Sequence, residues 1–180
     1  MKNRNLILTI LLALIVLSSC QTKTKYNTVN VDDMFTIEVP TYMKEMDLGN
    51  PDAAYTAGDS LLERYLMVIY ETKKEIESYH LDVELTHEYY GELVVDMFAQ
   101  AFTNPSVELL NKTTEEINGI PAYHYRVVGV LAEVGIEMYS SVTVYESDKS
   151  FYTIYAWSFI TDERLFSKHT KYMANSFKEI

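Results

Sequence analysis

Residues 151–160, FYTIYAWSFI, constrain the fold of this chain more than any other stretch. Written out as a strand, they place Phe151, Thr153, Tyr155, Trp157 and Phe159 on one side. Tyr152, Ile154, Ala156, Ser158 and Ile160 fall on the other. Neither side is polar, and a strand apolar on both sides belongs inside a sheet covered on both faces. The preceding segments supply that sheet. Residues 107–115, 122–130 and 136–146 also read as strands. The separators Asn118-Gly119, Gly135 and Ser147-Asp148-Lys149 are turn formers. Strands joined by short turns pair antiparallel.

Two further segments supply the cover. Thr86 is placed to cap a helix with Glu88 in its first turn. Tyr90, Leu93, Val94, Met97, Phe98 and Ala101 then recur on one helical face until Asn104-Pro105. A last helix starts near Thr161-Asp162, turns Phe166, Met173 and Phe177 inward, and is expected to run nearly to Ile180. Upstream, residues 35–39 alternate and stop at Pro40, residues 53–57 form a short strand ended by Gly58-Asp59, and residues 61–72 form a longer one. Two amphipathic helices separated by four strands predict one helix on each side of the sheet. The expected class is α+β: a three-layer α/β/α sandwich around an antiparallel sheet of about six or seven strands. It forms one domain over residues 29–180, with no internal repeat or linker.

The amino terminus carries a different message. Lys2 and Arg4 precede an apolar run from Leu6 to Leu17, and Ser18, Ser19 and Cys20 follow. A positive region, a short apolar core and small residues form a secretory signal, and the run is too short for a comfortable membrane span of ~20 residues. Leu17-Ser18-Ser19-Cys20 resembles the lipobox of bacterial lipoproteins. That resemblance implies a signal peptide over residues 1–19 and an acylated Cys20 as first residue of the mature chain. Residues 20–28 would be the lipidated cysteine and a polar tether. Anchoring by several acyl chains, at ~0.8 kcal/mol per buried methylene, is far firmer than by one. Cys20 is the only cysteine, so the mature domain would have no disulfide, thiolate metal site or cysteine nucleophile. The expected place is the bacterial cell envelope, on the outer membrane facing the periplasm if the cell is Gram-negative.

Charge narrows the partners. The net charge is −11, and loss of Lys2 and Arg4 with the leader would make it two units more negative. Such a chain is a poor binder of nucleic acid, which requires phosphate neutralisation. Its expected partners are the bilayer, through Cys20, and a basic protein steered by the negative field. The 15 tyrosines fall mostly in strand-like runs, where aromatic residues pack well.

The element order β-β-β-α-β-β-β-β-α, with INGIPAYHY at residues 117–125 and NSFKEI at 175–180, resembles the PsbP-like fold. That fold is shared by an extrinsic photosystem II subunit and several small bacterial lipoproteins. The resemblance implies the sandwich already expected over residues 29–180, and no site motif carries across.

No chemistry announces itself. The six glycines form no phosphate loop, and no Gly-x-Ser-x-Gly elbow exists. HEYYG at His87 lacks the second histidine of a zinc-protease helix. Of His80, His87, His124 and His169, the strand residue His124 and the helix residue His169 are the candidates for a divalent metal. A lone histidine in such an element is usually a hydrogen-bonded or surface residue, so neither a metal nor a cofactor is expected. Asp32-Asp33 and Glu115-Glu116 read as solvated turn or strand-end charges rather than cation ligands. Asn111-Lys112-Thr113 matches a glycosylation sequon, read as accidental in a bacterial lipoprotein. The expected function is a tethered, non-catalytic protein-binding or accessory module. The alternatives are a carrier of a small or apolar ligand and a carboxylate-based enzyme.

Overall fold

The strand predicted at residues 151–160 lies in the middle of a large antiparallel sheet, as its two apolar sides require. The computed structural model describes residues 23–79, 86–110 and 115–180. Cys20 and the leader, His80 and the sequon at 111–113 lie outside the described residues. The elements are β1 (Tyr26–Val31), β2 (Phe35–Pro40), β3 (Lys44–Glu45), β4 (Ala53–Asp59), β5 (Arg64–Thr72), α1 (Lys73–Tyr79), α2 (His87–Ala99) and β6 (Phe102–Leu109). They continue with β7 (Glu115–Ile117), β8 (Ile120–Leu131), β9 (Ile136–Glu146), β10 (Ser150–Phe159), a short 3-10 turn (Ile160–Asp162), α3 (Glu163–Ser176) and β11 (Lys178–Glu179).

The main sheet runs β3-β4-β5-β10-β9-β8-β6, and β7 pairs with the far end of β8 in line with β6. β10 sits between β5 and β9, with Tyr155 opposite both Met67 and Val142. Its even-numbered residues Tyr152, Ile154 and Ala156 pack with Phe166, Met173 and Phe177 from the α3 side. Its odd-numbered residues Phe151 and Tyr155 pack with Tyr90, Val94 and Val95 of α2 and Ile76 of α1. The helices therefore cover opposite faces. Trp157 is half-buried on the α2 side and stacks on Tyr65. Each fully buried large apolar side chain contributes roughly 1.5–3 kcal/mol, so the two cores hold the layers without covalent help.

The α3 layer also holds a second, three-stranded sheet, β1-β2-β11. Phe35, Ile37 and Val39 of β2 turn inward, and α3 packs on β2. Residues 26–28, expected in the tether, are the first half of β1. Asp32 and Asp33 make the β1–β2 turn at φ 49° and 55°, and Asn30 Nδ2 donates to Asp33 Oδ1 at 2.9 Å.

Several boundaries differ from the sequence reading. The expected strand at 61–72 starts only at Arg64, because Asp59 Oδ1 accepts from the amides of Leu61 and Leu62 and folds them into a turn. Asn104-Pro105 lies inside β6 rather than at a helix end. β6 is an edge strand, where proline removes no ladder bond, and the register shifts there with Asn104 at φ 51°. The last helix ends at Ser176, not near Ile180. Phe177 leaves the helix to enter the core, and the chain closes as β11, with Ile180 N–H donating to the Met34 carbonyl at 3.0 Å.

Candidate functional site

α2 presents the clearest charged surface. Thr86 caps it by accepting from the Tyr89 amide at 3.2 Å. Tyr90, Val94 and Val95 anchor it to the sheet, which leaves Glu88, Glu92 and Asp96 exposed at four-residue spacing along one stripe. From Glu75 to Asn111 the chain has no lysine or arginine to offset them. Two strand tyrosines, Tyr123 and Tyr125, lie beneath this stripe. Gly91 permits the approach, since a Cβ there would stand 2.9 Å from the Tyr125 hydroxyl. Burial, then Glu92, Tyr123, Glu88 and Asp96, push the Tyr125 phenol up to about 12. Tyr90 is bound more firmly still. Its ring stacks on Phe151 at 4.0 Å and its hydroxyl donates to Glu71 at 2.5 Å.

On the opposite face, one flank of α3 meets β1 and β2 through a polar and aromatic latch. Arg64, 8% exposed, grips Asp162 with Nε at 2.5 Å and Nη2 at 2.9 Å, and donates to the Tyr42 hydroxyl at 3.1 Å. The Tyr42 ring stands edge-on to His169. The Nδ1 of His169 lies 2.7 Å from the Tyr26 hydroxyl. Burial and the Arg64 charge hold His169 below the usual imidazole range. Tyr26 stacks on Tyr172 at 4.0 Å, and Tyr172 donates to Glu38 at 2.6 Å.

The other flank of α3 opens a cleft of about 350 Å³ toward β7 and β8, lined by Leu110, Ile117, His124, Lys168, Lys171 and Asn175, with Ser167 and Ala174 of the helix. His124 Nδ1 lies 2.7 Å from the Thr143 hydroxyl, and Nε2 lies 3.4 Å from Ser141. A second concavity, about 460 Å³ and shallow, is lined by Glu45, Met46, Asp47, Asn50, Ala53 and Thr56.

The two metal candidates thus have separate surroundings. His124 bonds within the sheet and lines the cleft, whereas His169 bonds β1 on the other flank of α3. Among the described residues no group of three or more His, Cys, Asp or Glu is arranged to hold a metal ion. Sequence reasoning did not find the α2 stripe, the Arg64–Asp162 clasp or the lysine-rimmed cleft. The first had a signal: acids at i, i+4 and i+8 in a long stretch without cations. The other two join residues far apart in the chain and had none.

The architecture is the PsbP-like fold. The solution structure of cyanobacterial PsbP from Synechocystis sp. PCC 6803 superposes with a TM-score of 0.60 at 13% identity, covering 90% of this chain and 96% of that one. LpqN of Mycobacterium tuberculosis, described as involved in cell envelope biogenesis, gives 0.55 at 8% identity over 88% and 92% of the two chains. A mutant of the protein Mog1 gives 0.52 at 13% identity over 86% and 95%. No protein-family model matches the chain, and no curated protein matches it in sequence.

Proposed function

We propose that this protein is a non-catalytic accessory module of the bacterial cell envelope, anchored through an acylated Cys20, that presents α2 to a basic protein partner. The observation that carries this reading is the exposed stripe Glu88, Glu92 and Asp96, set in a cation-free stretch and backed by a filled core. Charges on a rigid, packed helix keep their spacing, so a complementary surface meets them without an ordering cost. The likeness in fold to an envelope-biogenesis protein supports the location. The lipobox supports the anchor.

The test captures partners from native membranes with the wild-type chain and with Glu88→Lys, Glu92→Lys and Asp96→Lys combined. A basic partner should be retained by the wild type, lost by the triple variant, and bound more slowly as salt rises. Capture indifferent to both the variant and salt would overturn the reading. Intact mass of the membrane-extracted protein checks the anchor, which requires a chain starting at Cys20 with acyl mass added.

A further inference from the structure

We propose that the cleft between α3 and the β7–β8 end of the sheet binds a small amphiphilic anion: a carboxylate or phosphate head on a short apolar body. It lies on the face opposite α2 and stands independently of any protein partner there.

Lys168 and Lys171 are three residues apart on α3, so both rise on the same side of the helix over the cleft. Neither is in an ion pair among the described residues. Elsewhere Arg64, Lys73 and Arg126 are each held by a carboxylate, from Asp162, Glu146 and Glu163 respectively. In a chain of net charge −11, two ammonium groups converging on one concavity mark where an anion is attracted rather than repelled. Lysine suits such a head because it acts as a compact point charge with three donors.

The rest of the lining suits an apolar body. Leu110, Ile117 and Ala174 form the walls. Leu110 is 48% exposed, yet its backbone is fixed, since its amide donates to the His124 carbonyl at 2.8 Å. His124 is held in orientation by Thr143 and Ser141, so the floor keeps its shape. Asn118, at the tip of the β7–β8 turn, donates through Nδ2 to the carbonyls of Asn175 at 3.1 Å and Phe177 at 2.6 Å. That clasp ties the β7–β8 turn, next to the lining residue Ile117, to the end of α3 at the lining residue Asn175, and satisfies a terminal carbonyl of the helix. At about 350 Å³ the space is at the small end of ligand pockets, which sets the size of the body.

The test titrates hexanoate into the full chain in a neutral detergent and follows backbone amide shifts. Saturable shifts should centre on Leu110, Ile117, His124 and Asn175. The neutral analogue of the same chain length, 1-hexanol, should bind about tenfold more weakly, and Lys168→Gln with Lys171→Gln should weaken hexanoate by a similar factor. Displacement of hexanoate by phosphatidylglycerol added to the micelles would assign the head to a lipid. Failure to displace it would assign the head to a soluble anion, and either result keeps the site. Absence of saturable binding, equal binding of hexanol, or binding untouched by the lysine changes would overturn the proposal.

Discussion

Arg64 is a cation almost sealed from water, so its guanidinium has to be surrounded. Asp162 takes two of its nitrogens, Tyr42 takes a third, and the rings of Tyr42 and Phe166 lie 5.3 and 5.4 Å from its centre. The clasp joins the start of β5 to the turn before α3, nearly a hundred residues later in the chain. Removing the carboxylate leaves the charge in place without its partner. Asp162→Ala should therefore cost about 3 kcal/mol in urea unfolding, toward the low end for a buried pair because Asp162 keeps 22% of its side-chain surface in water. Replacing both residues, Arg64→Met with Asp162→Ala, should recover much of that loss. Equal losses in the single and double variants would show that the packing, not the charge pairing, holds this corner. Nothing in the sequence pointed to the pair, because an arginine inside the expected strand 61–72 and an aspartate beginning a helix each look solvated when read alone.

Among the elements, legibility followed burial pattern. β9 spans the same residues that its sequence predicts, and β10 differs by one residue at each end. Both lie inside the sheet with residues of both faces buried, and the turn formers Gly135 and Ser147-Asp148-Lys149 mark their limits in the sequence. β1 was missed because YNTVNV alternates only weakly and its edge position leaves half of it exposed. α1 was missed because, among its described side chains, Ile76 is the one that is buried and gives no period. The end of α3 was misread for another reason. Phe177 was placed inward correctly, but it reaches the core by leaving the helix. Its ring stacks on Tyr145 at 4.4 Å and meets Tyr152 at 5.0 Å and Phe35 at 5.4 Å. It thus joins the main sheet, the small sheet and α3 at one point. Phe177→Ala should cost ~3–5 kcal/mol, read as a fall in the urea midpoint with little change in slope. A loss below about 1 kcal/mol would mean that β11 and the Asn118 clasp hold the terminus without the ring.

At the scale of the whole molecule the sheet separates two electrical environments. α2 is acidic and carries no lysine or arginine, while α3 carries Arg164, Lys168 and Lys171 on the other side of the sheet. The sum of charges was legible from composition, but its division between faces depends on strand parity and helix placement, which only the assembled layers define. The tyrosines make the same division testable. Tyr90, Tyr145, Tyr152 and Tyr155 all have phenols pushed up, burial being the largest cause in each, with Glu71 adding to it at Tyr90 and Tyr155 and Glu179 at Tyr152. A phenol whose folded pKa is raised holds its proton after the unfolded chain, titrating near 10, has released its own. Its contribution is therefore complete below pH 10 and is lost as pH rises beyond it. Several such groups act together, and each phenolate released adds to a net charge already negative. The expected outcome is a cooperative alkaline unfolding above pH 10, in which tyrosinate absorbance at these buried sites and loss of near-ultraviolet circular dichroism share one midpoint. Added salt should move that midpoint upward by screening the repulsion. If all the tyrosines titrate near pH 10 while the dichroism persists, the phenols are in contact with water and the two-core packing is wrong.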